Sequence, residues 1–321
     1  MMHNLTSLML TNIKKTSLSR FADKGGVDRR PTGKIHRIPP MHIKKAVITA
    51  AHPNQRTLPL QTLVDRDGVK KSALHIIIDE IVTAGIEEIC LVIFPGDQAA
   101  YAEAAGPHAG RFHFLEQREA RGYGHAVHCA REFTGEEPFL LLVSDHLYVS
   151  TQAKNCTEQL IEAAVLAKSS VSAVQATHES KLPHYGTVGG HLMQGRERIY
   201  VVEEVIEKPT PTEAEQHLIV PGLRAGHYLC FFGIHVLTSK IMGILGRQIA
   251  AAPPGARINL SQALDELSSV EQYLALELEG HRYDLDEKYG IFVAQLGLAL
   301  AGRESEEVLS QIVRLLAESR M

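Results

Sequence analysis

The segment KKAVITAAHPNQRTLPLQTLVDRDG (Lys44–Gly68) holds the most informative transition in this 321-residue sequence. It begins with a short apolar run that predicts a buried β-strand, and a helical pattern follows the polar loop after it. In α/β proteins the loop between a first strand and a first helix commonly binds phosphate, usually through glycines. This loop has no glycine before Gly68, although Asn54, Gln55 and Arg56 supply polar groups.

Apolar runs and amphipathic segments then alternate regularly as far as about Leu182. This alternation predicts a mostly parallel sheet with helices on both faces. The next segment, HYGTVGGHLMQGRERIYVVEEVIEKP (residues 184–209), predicts a β-meander with glycine turns. We therefore expect a single α/β domain over residues 43–321, with a mixed sheet and a β-rich half inserted into it.

The net charge of −4 at pH 7 conceals an asymmetry along the chain. Residues 1–45 contain ten Lys and Arg against two Asp, which gives 10 − 2 = +8. The remainder contains 23 basic and 35 acidic residues, which gives 23 − 35 = −12. An acidic body argues against nucleic acid as the main partner. The basic start resembles a transit peptide in composition, but a flexible extension over residues 1–42, or an initiator at Met41, is the simpler interpretation.

The apolar runs and the cysteines bear on the cellular compartment. No apolar run approaches the roughly 20 residues that a membrane helix requires, so we expect no membrane partner. The cysteines form no CxxC pair and lie in apolar or helical contexts: Cys90, Cys129, Cys156 and Cys230. We interpret them as buried thiols, which predicts a cytoplasmic protein. A homo-oligomer is compatible with this composition.

The segment QREARGYGHAVHCA (residues 117–130) has the features of a ligand loop. Gly122 and Gly124 let the backbone approach a flat ligand or a phosphate, and a helix begins directly after them. Gln117 ends a strand and offers an amide that can pair with a base edge. A simple strand-to-helix turn explains the same glycines. His125, His128 and Cys129 have zinc-like spacing, but no second ligand cluster lies nearby in sequence.

Two further positions carry charge at strand ends. Asp145 follows a very apolar strand, where α/β folds place their ligands, and a capping aspartate is the alternative. Glu207 and Lys208 offer one group for sugar hydroxyls and one for a phosphate, or they mark an exposed strand end before a proline turn.

Together these segments resemble the sugar-1-phosphate nucleotidyltransferases, and within them the bacterial UTP–glucose-1-phosphate uridylyltransferases. The similarity extends from about Lys44 to Gly290. In chain order it rests on AVITAAHPNQRTLP, AGIEEICLV, QREARGYGHAV, EEPFLLLVSDHL, HYGTV, VIEKP, GIHVL, INLSQALDEL and YDLDEKYG. The resemblance implies a Rossmann-like nucleotidyltransferase fold, with a nucleoside triphosphate and a sugar 1-phosphate as partners.

The resemblance also implies a role for individual positions. The nucleotide would contact Ala51, His52, Asn54, Gln117, Gly122 and Tyr123; the sugar would contact Tyr185, Gly186 and Glu207; Mg²⁺ would bind Asp145 and Asp284; and the phosphates would contact Arg56, Arg66 and Lys208. The attacking phosphate oxygen is already anionic at pH 7, so this chemistry requires no general base. Mg²⁺ needs only one or two carboxylates besides phosphate oxygens and waters.

The loop departs from the family pattern of Gly-x-Gly-x-Arg followed by a Pro-Lys pair. The glycine positions fall on His52 and Asn54, and Pro53 between them lacks an amide donor. Asparagine tolerates positive φ, so Asn54 is predicted to preserve one bend. The Pro-Lys pair aligns with Asp65 and Arg66, which makes Arg66 the predicted phosphate contact.

Three functions are compatible with these residues. The first is a nucleotidyltransferase that makes an NDP-sugar, with UTP and glucose 1-phosphate as the expected substrates. The second is a non-catalytic relative that binds a nucleotide or sugar phosphate and regulates a partner, because the loop glycines are missing. The third is a glycosyltransferase with a DxD metal motif, spelled here by Asp284, Leu285 and Asp286, where the family has a glycine in place of Asp286.

Overall fold

The computed structural model describes residues 41–318, so the predicted extension over residues 1–42 lies almost wholly outside the described residues. The strands are β1 (Lys45–Ala50), β2 (Thr62–Val64), β3 (Lys70–Ser72), β4 (Glu88–Ile93), β5 (Phe112–Glu116), β6 (Phe139–Val143), β7 (His146–Ser150), β8 (Ser170–His178), β9 (Gly186–Leu192), β10 (Ile199–Glu207), β11 (His227–Leu237), β12 (Tyr273–Glu277) and β13 (Gly280–Asp284). The α-helices are α1 (Ala73–Thr83), α2 (Gln98–Ala104), α3 (Tyr123–Cys129), α4 (Arg131–Thr134), α5 (Cys156–Ala167), α6 (Pro211–His217), α7 (Lys240–Ala251), α8 (Leu260–Val270), α9 (Gly290–Leu300) and α10 (Ser305–Glu318).

A nine-stranded mixed sheet in the order β5-β4-β1-β6-β11-β8-β12-β10-β9 organises the chain. Strand β1 lies between β4 and β6 and is parallel to both, and its Ala46, Val47 and Ile48 are fully buried. Buried parallel strands of this kind read as continuous apolar runs, which is why the sequence predicted them. The mixed α/β sheet is confirmed, although antiparallel pairing through β11 takes a larger share than the sequence indicated.

The run 138–149 forms two strands in the structure, although its apolar pattern is that of one continuous strand. Strand β6 ends at Val143, and the Ser144 N–H then donates to Thr49 O at 3.2 Å. Strand β7 leaves the main sheet and pairs antiparallel with β13, a short strand that the sequence did not predict. Asp145 lies at the break between the two strands, at the carboxyl end of β6.

Strand β11 bends where β7 crosses it. Its pairing with β8 shifts register between Phe231 and His235, and Gly233 has a left-handed φ of 92°. A Cβ at Gly233 would lie 2.6 Å from Nδ1 of His146, so the absence of a side chain leaves room for that imidazole. The segment forms one bent strand, although its sequence is equally compatible with a pair of strands.

A short hairpin, β2–β3, separates the glycine-free loop from α1 and was not predicted. Asp65 forms its turn, because Oδ1 accepts from the N–H groups of Asp67 and Val69, each at 2.9 Å. The other oxygen of Asp65 pairs with Lys71 Nζ at 2.7 Å. The carboxylate of Asp65 is therefore fully engaged in the hairpin.

No helix in the part of the chain that the structure describes is long and apolar enough to cross a bilayer. Three of the four cysteines are buried and Cys129 is half-buried, and all four are free thiols, as predicted. The core also contains a polar network. Ser172 Oγ lies 2.6 Å from Nδ1 of His235 and 2.5 Å from the Tyr273 hydroxyl, and all three side chains are buried.

This network predicts how stability depends on acid. Burial lowers the pKa of His235 from 6.5 to about 3, so the unfolded chain takes up a proton below pH 6.5 that the folded chain refuses. The contribution of His235 is fully present above pH 6.5. It is lost by up to about 1.4 kcal/mol for each pH unit as the pH falls toward 3. Denaturant unfolding between pH 7 and 5 should show a shallower decline in His235→Gln than in the unsubstituted protein.

Ser172→Ala is the matched control, because it disturbs the same buried network but keeps the titrating imidazole. It should be less stable at every pH and retain the steep decline. Equal slopes for His235→Gln and the unsubstituted protein would contradict the assignment.

Candidate active site

A cleft of about 480 Å³ opens at the carboxyl ends of β1 and β6. It brings together all six residues that the resemblance assigned to the nucleotide, one assigned to the metal and one assigned to the phosphates: Ala51, His52, Asn54, Gln117, Gly122, Tyr123, Asp145 and Lys208. These residues are separated by up to 157 positions in sequence. The fold therefore brings together in one cleft residues that only the family resemblance had linked.

Gln117 forms one end of the cleft and is buried. Its Nε2 donates to Gly122 O at 3.2 Å and lies 3.0 Å from Nδ1 of His125. Burial, and then the positive charge of Arg121, lowers the pKa of His125, which favours a neutral ring able to accept the Gln117 N–H at Nδ1. With Nε2 occupied in this way, Oε1 of Gln117, a residue that lines the cleft, is left as the available acceptor of the amide.

Gly122 closes the same end with its backbone. It has a φ of 94°, and a Cβ there would lie 2.8 Å from Ile258 O, so a larger residue is excluded twice. Its N–H has no hydrogen-bond partner within residues 41–318. Gln117 and Gly122 thus leave one acceptor and one donor without a partner among the described residues.

Tyr123 lies beside Gly122 and contributes a hydroxyl. The hydroxyl oxygen is buried, with the Thr49 hydroxyl beside it but no well-aligned hydrogen bond to it among the described residues. Burial, together with the negative charge of Asp145, raises the pKa of Tyr123, so the group stays a neutral donor.

The glycine-free loop closes by a conventional turn instead of a left-handed one. The N–H groups of Gln55 and Arg56 both donate to His52 O, at 3.1 and 3.0 Å. Asn54 has no positive φ, so the predicted asparagine bend is wrong. With Pro53 lacking an N–H and two amides turned onto His52 O, the loop offers few donors to phosphate.

Arg56 is held beside the loop by an ion pair. Its Nη1 lies 3.0 Å from Asp97 Oδ1, and its guanidinium stacks on the Phe94 ring at 4.7 Å. The Tyr101 hydroxyl donates to Arg56 O at 2.7 Å, which anchors the loop to α2. Arg56 does not line the cleft in this arrangement.

Arg66 lies on the β2–β3 turn and is directed to the C-terminal helices. Its Nε donates to Ala301 O at 3.2 Å, and its carbonyl accepts from the Arg303 N–H at 3.0 Å. The β2–β3 hairpin after the loop accounts for this placement. The ungapped alignment that matched Arg66 to the family lysine could not take this hairpin into account. The structure does not bring Arg66 to the cleft.

Asp145 and Asp284 meet because β7 pairs with β13. Asp284 lies opposite His146 in the ladder, and the Leu285 N–H donates to Asp145 O at 2.8 Å. Burial raises the pKa of Asp145 in spite of His146, and the charges of Asp284 and Asp286 raise it further. A divalent cation would relieve this cost, so two carboxylates in this arrangement suit Mg²⁺.

His146 and Gln55 fix the acidic group. His146 Nε2 lies 3.5 Å from Asp284 Oδ2, and Gln55 Nε2 donates to Asp286 Oδ2 at 2.9 Å. Burial opposes ionisation of Asp284, but the hydrogen bond and charge of His146 hold its pKa below the ordinary value. The glycine-free loop and the DLD segment are thereby joined.

The residues predicted to contact the sugar lie at a second cavity, which Tyr185 lines, and at the adjoining strand ends, where Gly186 and Glu207 lie. Tyr185 and Asp284 line a cavity of about 350 Å³ together with Arg282 and Glu287. The Tyr185 hydroxyl donates to Glu287 at 3.2 Å, and the Arg282 guanidinium stacks over the Tyr185 ring at 3.7 Å. Asp284 thus connects this cavity with Asp145 in the nucleotide cleft.

Gly186, Glu207 and Lys208 lie at the ends of the paired strands β9 and β10. Glu207 Oε2 accepts from Ser261 Oγ at 2.5 Å, and a Cβ at Gly186 would lie 3.0 Å from that oxygen. Lys208 has a left-handed φ of 49°, and its N–H donates to Tyr185 O at 3.2 Å. This backbone bend turns Lys208 toward the nucleotide cleft.

The sequence alone did not reveal the position of Arg257 in the cleft or the contacts that His146 and Gln55 make. Arg257 lines the cleft as an exposed cation, and no ion-pair partner for it occurs among the described residues. His146 and Gln55 act through contacts with residues 138 and 231 positions away, which only the β7–β13 pairing and the loop closure create. The zinc-like spacing of His125, His128 and Cys129, for which the sequence favoured an ordinary helix, does not bring three ligand atoms within 4.8 Å of one another in the described chain, and His125 is hydrogen-bonded to Gln117.

A substitution at Gly122 tests the end of the cleft that Gln117 and Gly122 form. Gly122→Ala should lower the free energy of unfolding by about 1–2 kcal/mol through its left-handed φ. It should also weaken nucleotide binding, because the new methyl group displaces the backbone against Ile258. Gly85→Ala is the matched control: its φ of 92° is nearly identical and no atom lies within 4 Å of the new Cβ. Equal nucleotide affinity in the two variants would show that Gly122 does not contact the ligand.

Comparison with known proteins assigns this architecture. The profile of the nucleotidyl transferase family matches residues 66–277, beginning just after the altered loop. A UTP–glucose-1-phosphate uridylyltransferase of Bacillus subtilis is 29% identical over 293 residues, covering 83% of this chain and 94% of that protein. One from Staphylococcus saprophyticus is 30% identical over 300 residues, covering 85% and 98%.

Solved structures show the same fold. A UDP-glucose pyrophosphorylase from Acinetobacter baumannii superposes with a TM-score of 0.67 at 24% identity, covering 85% of this chain and all of that one. A UDP-glucose pyrophosphorylase complexed with UDP-glucose superposes with a TM-score of 0.65 at 22% identity, covering 79% and 97%. From the profile match and these relatives together, the chain belongs to the nucleotidyl transferase family, a class of enzymes.

Proposed function

We propose that the protein joins UTP and glucose 1-phosphate to give UDP-glucose and pyrophosphate, with Mg²⁺. The observation that carries the proposal is the adjacency of Asp145 and Asp284 at the rim of a cleft whose far end is Gln117. In the reaction, an oxygen of the sugar phosphate forms a bond to the α-phosphorus of UTP. The bond from that phosphorus to the β-phosphate oxygen breaks, and pyrophosphate leaves with the electron pair.

The fixed charges suit this chemistry. When bound, Mg²⁺ would neutralise phosphate oxygens and orient the triphosphate. Asp145 and Asp284 would hold it, and His146 would keep Asp284 ionised and in place. Lys208 would contact the sugar phosphate, with Glu207, Gly186 and Tyr185 on the sugar. Positioning and charge neutralisation then supply the catalysis, since the attacking oxygen is already ionised.

The arrangement of donor and acceptor at Gln117 and Gly122 favours uracil. Oε1 of Gln117 is an acceptor and the Gly122 N–H is a donor, which matches the N3–H donor and a carbonyl oxygen of uracil. Thymine has the same hydrogen-bonding edge. No contact among the described residues of the cleft excludes its methyl group. Cytosine presents an N3 acceptor, so it would face Oε1 with a repulsive pairing.

This polarity gives a test of base selection. The kcat/KM for UTP should exceed that for CTP by roughly 100-fold or more, because a site built to pair a specific group rejects a ligand that leaves it unpaired. Gln117→Leu should lower turnover with UTP and narrow the difference between the two nucleotides. Equal use of UTP and CTP by the unsubstituted protein would contradict the assigned orientation of the amide.

The triphosphate loop supports a second candidate, a regulatory relative that binds without turnover. Pro53 lacks an N–H, Arg56 is paired with Asp97, and Arg66 is bound to Ala301. If these residues keep their present partners in the complex, the β- and γ-phosphates meet few donors from this loop. The exposed Arg257 is a cation that the cleft retains for such a role. The acidic pair is common to both candidates, so turnover has to separate them.

Pyrophosphate release from UTP, glucose 1-phosphate and Mg²⁺ is the direct assay. Asp145→Asn and Asp284→Asn should each lower kcat by roughly 10²–10³-fold, as expected for the loss of an aimed electrostatic group. Asp67→Asn is the control, because its exposed carboxylate pairs with Arg303 at the surface. No pyrophosphate from any nucleoside triphosphate and sugar phosphate, with nucleotide binding intact, would establish the regulatory alternative.

A further inference from the structure

A second group of metal-ligating side chains lies outside the cleft, on α1 and the short 3-10 helix Gly106–Arg111. His75 and Asp79 are one helical turn apart on α1, and His108 approaches them from the 3-10 helix. Asp79 Oδ1 lies 3.6 Å from His75 Nε2 and 2.9 Å from His108 Nε2. One ligand atom from each residue lies within 4.8 Å of the other two.

These distances suit a small transition-metal ion. Zinc binds imidazole nitrogen and carboxylate oxygen at about 2.0–2.2 Å, so tetrahedral ligands lie roughly 3.3 Å from one another. Histidine nitrogens with one carboxylate favour zinc, cobalt, nickel or copper over magnesium and calcium, which prefer oxygen. Within residues 41–318, this is the one group in which three such ligand atoms converge so closely.

The surroundings orient the three ligands. Asp79 Oδ2 is held by Lys71 Nζ at 2.7 Å, which leaves Oδ1 directed at both imidazoles. A ligating carboxylate is usually fixed by such an outer partner. The ammonium of Lys71 is also paired with Asp65 at 2.7 Å. With neutral imidazoles, two carboxylates and one ammonium leave the group a net negative charge, which suits a cation.

The backbone leaves space for this arrangement and for an added ligand. Gly106 has a φ of 57°, and a Cβ there would lie 3.1 Å from the His75 ring, so glycine lets the 3-10 helix approach. The side chains of His75, Asp79 and His108 are 18%, 34% and 22% exposed, so water can reach an ion held among them. None of the three residues lines the nucleotide cleft.

We propose that His75, Asp79 and His108 form a binding site for one zinc-like divalent ion, with water completing its coordination. The ion would tie α1 to the segment that follows α2. Because α2 also anchors the loop through Tyr101 and Arg56, this tie would stabilise the wall behind the glycine-free loop. The site is independent of the metal site proposed at Asp145 and Asp284.

Co²⁺ is the probe, because its visible absorption reports coordination by nitrogen and oxygen directly. The full-length protein, stripped with a chelator and held in excess Mg²⁺, should bind Co²⁺ at this site and release it to Zn²⁺. His108→Ala and Asp79→Asn should each weaken Co²⁺ binding at least about tenfold, since even loss of an outer-shell partner costs that much. Zn²⁺ should raise the Tm of the unsubstituted protein and not that of either variant.

His113→Ala is the matched control, because His113 is an exposed histidine nearby in sequence that pairs with Glu88. It should bind Co²⁺ as the unsubstituted protein does. Circular dichroism of each metal-free variant verifies folding, and His75→Gln provides a milder change if His108→Ala unfolds. Co²⁺ absorption that persists in His108→Ala, Asp79→Asn and His75→Gln, or no binding in excess Mg²⁺, would overturn the proposal.

Discussion

The pairing of β7 with β13 is the constraint on which the site depends. Asp145 lies where β6 stops, and Asp284 ends a strand that the chain forms 139 residues later. The antiparallel register places Asp284 opposite His146, directly after Asp145. Burial raises the pKa of Asp145, and the negative charges of Asp284 and Asp286 raise it further. The fold sustains this cost because neighbouring groups fix Asp284, and a bound cation would remove it.

The neighbouring groups explain how the altered loop stays part of the site. Gln55 reaches Asp286, which occupies the position of a family glycine, and Tyr101 and Asp97 hold Arg56 from the other side. The loop is therefore braced by side chains where relatives of the expected pattern would use glycine amides. Such bracing supplies fewer backbone donors than a glycine loop, and Lys208 and Arg257 are the Lys and Arg side chains that line the cleft in the described chain.

The sequence predicted well those elements whose pattern is local. Strands β1 and β4 and helices α1, α5 and α8 follow from apolar periodicity and caps, such as the Asn155 capping box of α5. Gln117, Gly122 and Asp145, which line the cleft, were predicted as site residues from strand ends and glycine turns. The break after β6, by contrast, lies inside an unbroken apolar run, and β13 is a short polar strand, so neither has a periodic signal.

Site residues that depend on long-range contacts could not be predicted in the same way. The placement of Arg66 follows from an unexpected hairpin, whose turn is set by Asp65 and Lys71. The predicted bend at Asn54 does not form, because the N–H groups of Gln55 and Arg56 donate to His52 O instead. Each correction comes from a competing backbone or side-chain partner, which residue type alone does not reveal.

A crystal of the full-length protein soaked with UTP and Mn²⁺ gives the most direct measurement of the central claim. Manganese scatters anomalously and replaces magnesium in oxygen-rich sites. We expect an anomalous peak within coordination distance of both Asp145 and Asp284, with the uracil edge against Gln117 and Gly122. A peak bound by neither aspartate, or a nucleotide seated outside this cleft, would contradict the account.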